Sequence, residues 1–108
     1  MRQKTGRKVL RKVSKPPKES VALHLRLYVA GQAPNSILAI ANIKAICEGH
    51  YLPGYKLEIV DLMEHPLRGL QDGIVVTPTL VRLLPKPARK VIGTLSDQKQ
   101  VLLALGAA

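Results

Sequence analysis

Cys47 is the only cysteine of the 108-residue chain, and it sits in an apolar stretch with Ile43, Ala45 and Ile46. Thiol–disulfide exchange needs an activated thiolate and a second thiol to resolve the mixed disulfide. Neither is offered here, so disulfide oxidoreductase chemistry is excluded and Cys47 reads as a buried, inert thiol. Cys47 and His50 are the nearest thing to a metal-ligand pair, but the second pair of a structural zinc site is missing. His24 and His65 are better placed on a strand face and at a helix start. The glycines follow neither the G-x-x-x-x-G-K nor the G-x-G-x-x-G spacing that cradles phosphate. No nucleophile-elbow pattern marks Ser36 or Ser96, so Asp61, Asp97 and the histidines have no serine to activate; capping is the better use of Ser96. Tyr28 alone is too thin a platform for stacking single-stranded nucleic acid. The residues point to no catalysis, no cofactor and no metal, which leaves binding.

The elements that present these residues follow from periodicity. Leu23, Leu25, Leu27 and Val29 alternate with His24, Arg26 and Tyr28, a strand pattern ended by Gly31. Pro34 suits the first turn of a helix, with Asn35 or Ser36 as its cap, and residues 37–47 continue it with only Asn42 and Lys44 interrupting the apolar run. So few polar residues cannot cover a solvated side, so this helix is either buried on both sides or turns an apolar face to a partner. Gly49 and Pro53 bracket its exit.

Residues 55–62 form a second strand, Leu57, Ile59 and Tyr55 inward and Lys56 and Glu58 outward, with Asp61 closing it; strand–helix–strand order implies a parallel pair with a right-handed crossover. A short helix runs from Glu64 or His65 to about Asp72, opened by Pro66 and ended by Gly73, with Leu67 and Leu70 three apart. Residues 74–84 and 88–92 read as a hairpin turned by Pro85 and Pro87. Pro78, ahead of an inner strand of a parallel pair, is expected to follow a cis bond. Residues 94–97 then cap a last helix whose Leu95, Val101, Leu102 and Leu105 share a face. The order β-α-β-α-β-β-α is that of the thioredoxin fold, an α/β architecture with a four-stranded mixed sheet. In that fold the redox motif occupies the turn after the first strand, here Gly31-Gln32-Ala33-Pro34-Asn35, where no thiol stands.

The net charge is +10, concentrated in residues 1–20, which carry eight basic side chains against Glu19. The remainder, residues 21–108, forms one mildly basic domain with nine basic and six acidic side chains. Residues 1–20 read as a flexible basic arm, with a transient amphipathic helix through Val9, Leu10 and Val13 as the competing reading; either can meet an anionic membrane or nucleic acid through phosphates. Residues 21–30 contain His24 and Arg26 and alternate in polarity, unlike the core of a signal peptide, and no apolar run approaches the roughly 18 residues of a membrane span. With one cysteine the fold needs no oxidising compartment, so a cytoplasmic location is expected.

One ordered set of short motifs carries further meaning: Tyr28-Val29-Ala30-Gly31 with Pro34-Asn35-Ser36, then Asp61 and Pro66, Thr77-Pro78-Thr79-Leu80, Leu84-Pro85 with Pro87, Arg89-Lys90 with Ile92-Gly93, and Leu95-Ser96-Asp97. From about Leu23 to Leu105 this set resembles the KaiB family without a gap. The resemblance implies a non-enzymatic adaptor that binds the ring-shaped ATPase KaiC and, in circadian systems, helps sequester KaiA and competes with the kinase SasA. It also implies fold switching between a tetrameric ground state with a rearranged C-terminal half and a monomeric thioredoxin-like state. The alternatives are a stand-alone thioredoxin-like interaction or stress-response domain, and a homo-oligomer.

For a KaiC-type partner the expected contacts lie on the second helix and hairpin, at Leu70, Gln71, Gly73, Ile74, Arg89 and Lys90. Conformational weight is expected at Thr77, Pro78, Pro85, Pro87, Gly93 and Ala104. The chain departs from the family in its basic extension, in lacking an acidic tail, and at Lys86, Thr94, Ala104 and Gly106. Alanine at 104, where glycine is frequent in the family, favours a helix by about 1 kcal/mol. The thioredoxin-like state is therefore the one expected here, with the rearranged ground-state fold as its alternative.

Overall fold

The alternating apolar residues of the first strand organise everything else. In the computed structural model, which describes residues 23–50 and 54–106, they lie on β1 (Leu23–Val29) at the centre of the sheet. The order continues α1 (Pro34–His50), β2 (Tyr55–Asp61), α2 (Pro66–Gln71), β3 (Thr79–Leu84), β4 (Arg89–Ile92) and α3 (Gln98–Leu105). The four strands stand in the order β2-β1-β3-β4, with β1 parallel to β2 and β3 antiparallel to both β1 and β4. This is the thioredoxin-like α/β architecture, and residues 98–105 are helical rather than part of the sheet.

The larger core lies on one face of the sheet. Leu23, Leu25, Leu27 and Val29 of β1 meet Ala39, Ile43, Ile46 and Cys47 of α1 and Val101 and Leu105 of α3, with Leu80, Val91 and Leu95 completing the cluster. On the opposite face only Tyr28, Val60 and Val81 are buried together, flanked by Leu62, Ile74 and Leu83. With no phenylalanine or tryptophan in the chain, aliphatic side chains carry the packing.

Several local expectations need correction. Ser36 does not cap α1: it lies within the helix, fully buried, and its Oγ accepts a hydrogen bond from the Ala30 amide at 3.0 Å, tying the helix to the end of β1. Asn42 interrupts the apolar run because its Nδ2 donates to the Thr94 carbonyl at 2.8 Å, fastening α1 to the loop before α3. Helix α3 is capped by Asp97, whose Oδ1 accepts from the Gln100 amide at 3.1 Å, while the Ser96 hydroxyl lies 2.7 Å from that of Thr94. Leu95 precedes α3 in a left-handed conformation (φ 64°) that inserts its side chain into the core. Ile59 is exposed because β2 is an edge strand, and Val60 is the residue of β2 that is fully buried.

The hairpin starts later than its β-branched residues suggest. Residues 74–78 form an irregular segment, and the first strand of the hairpin begins at Thr79, whose Oγ1 donates to the Val76 carbonyl at 2.6 Å. The Thr77–Pro78, Leu84–Pro85 and Lys86–Pro87 bonds are cis. Pro78 precedes an inner strand, but that strand runs antiparallel to both neighbours, not parallel as expected. The basic stretch 1–20, Tyr51 and Pro53 lie outside the described residues.

Candidate functional site: the polar-seated helix and its apolar rim

The short helix α2 is fastened to the sheet in an unusual way. Only Gly69 of its six residues is buried, while Leu67 and Leu70 are 65% and 81% exposed. A Cβ at Gly69 would meet Leu62 Cδ1 at 3.3 Å, so glycine lets the helix approach the sheet closely at that point. Around this contact, polar groups replace the apolar side chains that ordinarily hold a helix down.

Those groups come from three elements. The Tyr28 hydroxyl donates to Asp72 Oδ2 at 2.6 Å and accepts from Arg26 Nη1 at 3.3 Å. Arg26 Nε donates to Glu58 Oε1 on β2 at 2.7 Å. Arg68 of α2 completes the set, 3.5 Å from Asp72 and 3.7 Å from the second oxygen of Glu58. The hydrogen bond from Tyr28 and the nearby arginines hold the Asp72 carboxyl below the usual carboxylate range. Arg26 does the same for Glu58 by direct hydrogen bonding. Burial, reinforced by the carboxylate of Asp72, raises Tyr28, so its hydroxyl stays protonated and remains a donor.

The other side of α2 and the segment after it form an apolar surface. Leu67 and Leu70 are joined by Val75 at 93% exposure, Val76, and Ile92 of β4. A shallow groove runs between Gly73, Ile74, Val75, Val76, Thr79, Lys90 and Ile92. Lys90 Nζ donates to the Gly73 carbonyl at 3.3 Å, and the Gly93 amide donates to the Pro78 carbonyl at 3.0 Å. An exposed apolar patch of this kind, edged by polar side chains, is the usual signature of a protein-contact surface.

Of the residues expected at a contact surface, Gly73, Ile74 and Lys90 line the groove, Ile74 as a half-buried residue, while Leu70 and Gln71 are exposed at the end of α2 just before it. Arg89 does not join them: strand alternation puts it on the same side as the buried Val91, opposite Lys90 and Ile92. Leu67, Val75, Val76 and Ile92 belong to the patch and were not anticipated. The Leu67–Leu70 spacing was the available signal for one of them, while Val75 and Val76 were masked by their strand-forming side chains.

The residues expected to carry conformational weight stand at both ends of the hairpin: Thr77, Pro78 and Gly93 at the end beside the groove, and Pro85, Pro87 and Ala104 at the other. Arg82, 7% exposed, donates from Nη1 to the Ala104 carbonyl at 3.1 Å and from Nη2 to the Pro87 carbonyl at 2.6 Å. One buried guanidinium thus links the last turn of α3 to the proline-bracketed turn, a favourable place for a cation at a helix C-terminus. Gly106 follows in a left-handed conformation (φ 92°), and a Cβ there would meet Arg82 Nη1 at 3.4 Å.

At the turn where redox relatives of this fold carry their thiols, the Gly31 amide donates to Asp61 Oδ1 at 2.9 Å. Cys47 is fully buried, and desolvation pushes its thiol up to about 11. It is chemically quiet at neutral pH. Among the described residues, no three histidine, cysteine or acidic side chains cluster as a metal site needs, and no helix is long and apolar enough to cross a membrane.

Comparison with known proteins decides what this arrangement belongs to. The KaiB domain matches residues 26–107. Circadian clock oscillator protein KaiB of Gloeothece citriformis is 44% identical over 81 residues, covering 75% of this chain and 76% of the relative. The chain belongs to the KaiB family. The KaiB of Trichodesmium erythraeum is equally similar, at 44% over 81 residues and 78% of its length.

Among solved structures, the N-terminal domain of Synechococcus elongatus SasA superposes with a TM-score of 0.67 at 24% identity, covering 87% of this chain and 92% of that one. Mitochondrial thioredoxin 3 of Saccharomyces cerevisiae gives 0.65 at 12% identity, covering 84% and 83%. Both likenesses concern the fold. This KaiB-family chain therefore shares its thioredoxin-like architecture with the SasA N-terminal domain and with thioredoxins, while its sequence resembles circadian clock oscillator proteins.

Proposed function

We propose that this KaiB-family chain is a non-enzymatic adaptor that docks onto a KaiC-type ring ATPase in a circadian or clock-related pathway. The contact surface is the exposed face of α2 with the segment after it and the edge of β4. The observation that carries the reading is the set of exposed apolar side chains on α2, Leu67 and Leu70, followed by the groove of Val75, Val76 and Ile92 with Lys90 beside them, on a chain of this family. Burial of large apolar side chains at a contact centre supplies most of the energy of protein association, and a bordering cation favours an acidic partner surface.

In this reading residues 21–108 are the binding domain, at work in the cytoplasm. The thioredoxin-like state is the binding-competent one, and exchange with a ground-state fold and its oligomer regulates access. KaiA-like and SasA-like proteins are its further partners, the latter as a competitor of similar fold. A pull-down with a KaiC-type ring, with and without nucleotide, tests the proposal. Capture in at least one nucleotide state is expected, and no capture in either would contradict it.

A second reading rests on the charge of residues 1–20, eight basic side chains against one acidic. Such a segment is suited to anionic lipid or nucleic acid, with affinity that falls steeply as salt rises. Deleting residues 1–20 separates the two readings. Ring binding is expected to survive the deletion, and binding to anionic surfaces to disappear.

A further inference from the structure

The helix that carries the exposed leucines buries none of them, so something else must fix where it sits. Leu67 and Leu70 face outward, Gly69 contributes only a close backbone approach, and α2 has just six residues. A helix of that length is unstable on its own, because nucleation is costly and few bonds follow it. Its C-terminal end is nevertheless well bonded: Asp72 donates its amide to the Arg68 carbonyl at 2.9 Å, and Ile74 donates to the Gly69 carbonyl at 2.8 Å. Asp72 joins those backbone bonds to β1 through the 2.6 Å hydrogen bond from Tyr28, the shortest polar contact between this turn and the sheet, while Arg68 reaches Glu58 of β2 at 3.7 Å and Ile74 packs beneath.

We propose that Tyr28 is a positioning residue for the docking helix: its buried hydroxyl, held between Arg26 and Asp72, fixes the C-terminal turn of α2 and so the direction in which Leu67 and Leu70 are presented. The geometry favours Tyr28 over the ion pairs as the centre of this device. Its ring is 2% exposed and packed against Val60 and Val81, so the hydroxyl has a fixed position in the middle of the sheet. The arginine–carboxylate contacts around it are longer, 3.5 to 3.7 Å apart from the Arg26–Glu58 pair, and partly solvated. Partly solvated pairs of this kind contribute little individually. A short hydrogen bond from a buried donor to a carboxylate contributes more, and it is directional.

The same arrangement explains why the patch can stay apolar. A helix seated by packing would have to turn its leucines inward, whereas one seated by Tyr28, Arg26 and Arg68 leaves them free. The proposal rests on the docking reading above, but its test does not.

Amide hydrogen exchange of the free protein reads the seating directly. Tyr28→Phe keeps the ring in its pocket and removes the hydroxyl. Amides of residues 72–74 are expected to exchange about tenfold faster, the loss typical of a hydrogen bond to a charged group, while amides in the β1–β3 ladder keep their protection. Asp72→Ala is expected to do at least the same, since it also removes the contacts to Arg26 and Arg68, and the double variant to lose less than the sum of the two, because both remove the Tyr28–Asp72 bond. Asp72→Asn, which keeps an acceptor for the hydroxyl, is expected to restore part of the protection. Should Tyr28→Phe fold poorly, the two substitutions at the partly exposed Asp72 give the same readout.

Unchanged exchange at 72–74, or acceleration spread evenly over the sheet, would overturn the proposal. So would strictly additive effects in the double variant. Binding of Tyr28→Phe to a KaiC-type ring is measured alongside, with a loss of about tenfold expected from the same lost bond. Absence of ring binding by the unmodified protein counts against the docking reading alone, since the exchange pattern still decides whether Tyr28 seats the helix.

Discussion

Leu27 and Tyr28 are neighbours on β1, yet their side chains enter two different environments. Leu27 points into a cluster of aliphatic side chains from α1, α3 and three strands, where no polar partner is needed. Tyr28 points into a thin apolar layer and ends in a set of arginines and carboxylates. The first face is held by burial, which is strong and undirected. The second is held by a few directed polar contacts and leaves its large apolar residues outside. The difference teaches that burial and apolar display are divided between the two faces, so that a helix can present leucines without the fold depending on them.

Four experiments break or sharpen this comparison. The largest effect is expected from Leu27→Ala, a fully buried side chain, which should cost about 2–5 kcal/mol in denaturant unfolding. A cost below 1 kcal/mol would mean that the first face is not the main source of stability. Next comes Arg82→Met, which keeps an unbranched apolar stem but leaves the Ala104 and Pro87 carbonyls without their donor. A loss of about 1–3 kcal/mol is expected, with exchange accelerated most in α3.

Acid should act on the second face first. Glu58 and Asp72 titrate below their ordinary values in the folded protein, so each contributes stability that is present above the unfolded carboxylate range of about 4. That contribution is lost as pH falls through the lowered folded values. Amide exchange in residues 66–74, corrected for its intrinsic pH dependence, is therefore expected to lose protection below about pH 4 before the β1–β3 ladder does. The smallest effect on stability is expected from Leu70→Asp, within about 0.5 kcal/mol because the side chain is solvent-exposed. Its effect on ring binding should exceed tenfold, as for a residue at the centre of a contact.

The division between faces also sets what can be read from the sequence. The burial-driven face was legible: alternation in β1, Pro34 at the start of α1 and the Leu105-bearing last helix follow from local patterns, and so does the order of elements. The polar face was not, because its contacts join residues far apart in sequence. Arg26 and Glu58 are 32 positions apart, and Tyr28 and Asp72 are 44 apart. No local pattern marks such pairs. Ile74, Val75 and Val76 misled for a different reason, since β-branched side chains suit a strand but here precede Pro78 and the strand begins only at Thr79. Arg89 and Lys90 enter together as one motif of the family resemblance, and strand alternation puts them on opposite sides of β4. The short helix that carries Leu70 and Gln71 is visible in sequence, opened by Pro66 and ended by Gly73, even though its seating is not.

The first face offers a rival contact surface, since Ile37 and Leu38 are about half exposed on the outer side of α1. Which surface meets the partner is decided by titrating isotope-labelled protein with an unlabelled KaiC-type ring and following its backbone and methyl signals. Loss or shift of signals from Leu67, Leu70, Val75, Val76 and Ile92, with Ile37 and Leu38 undisturbed, is the expected result. Perturbation confined to Ile37, Leu38 and their neighbours on α1 would contradict the account.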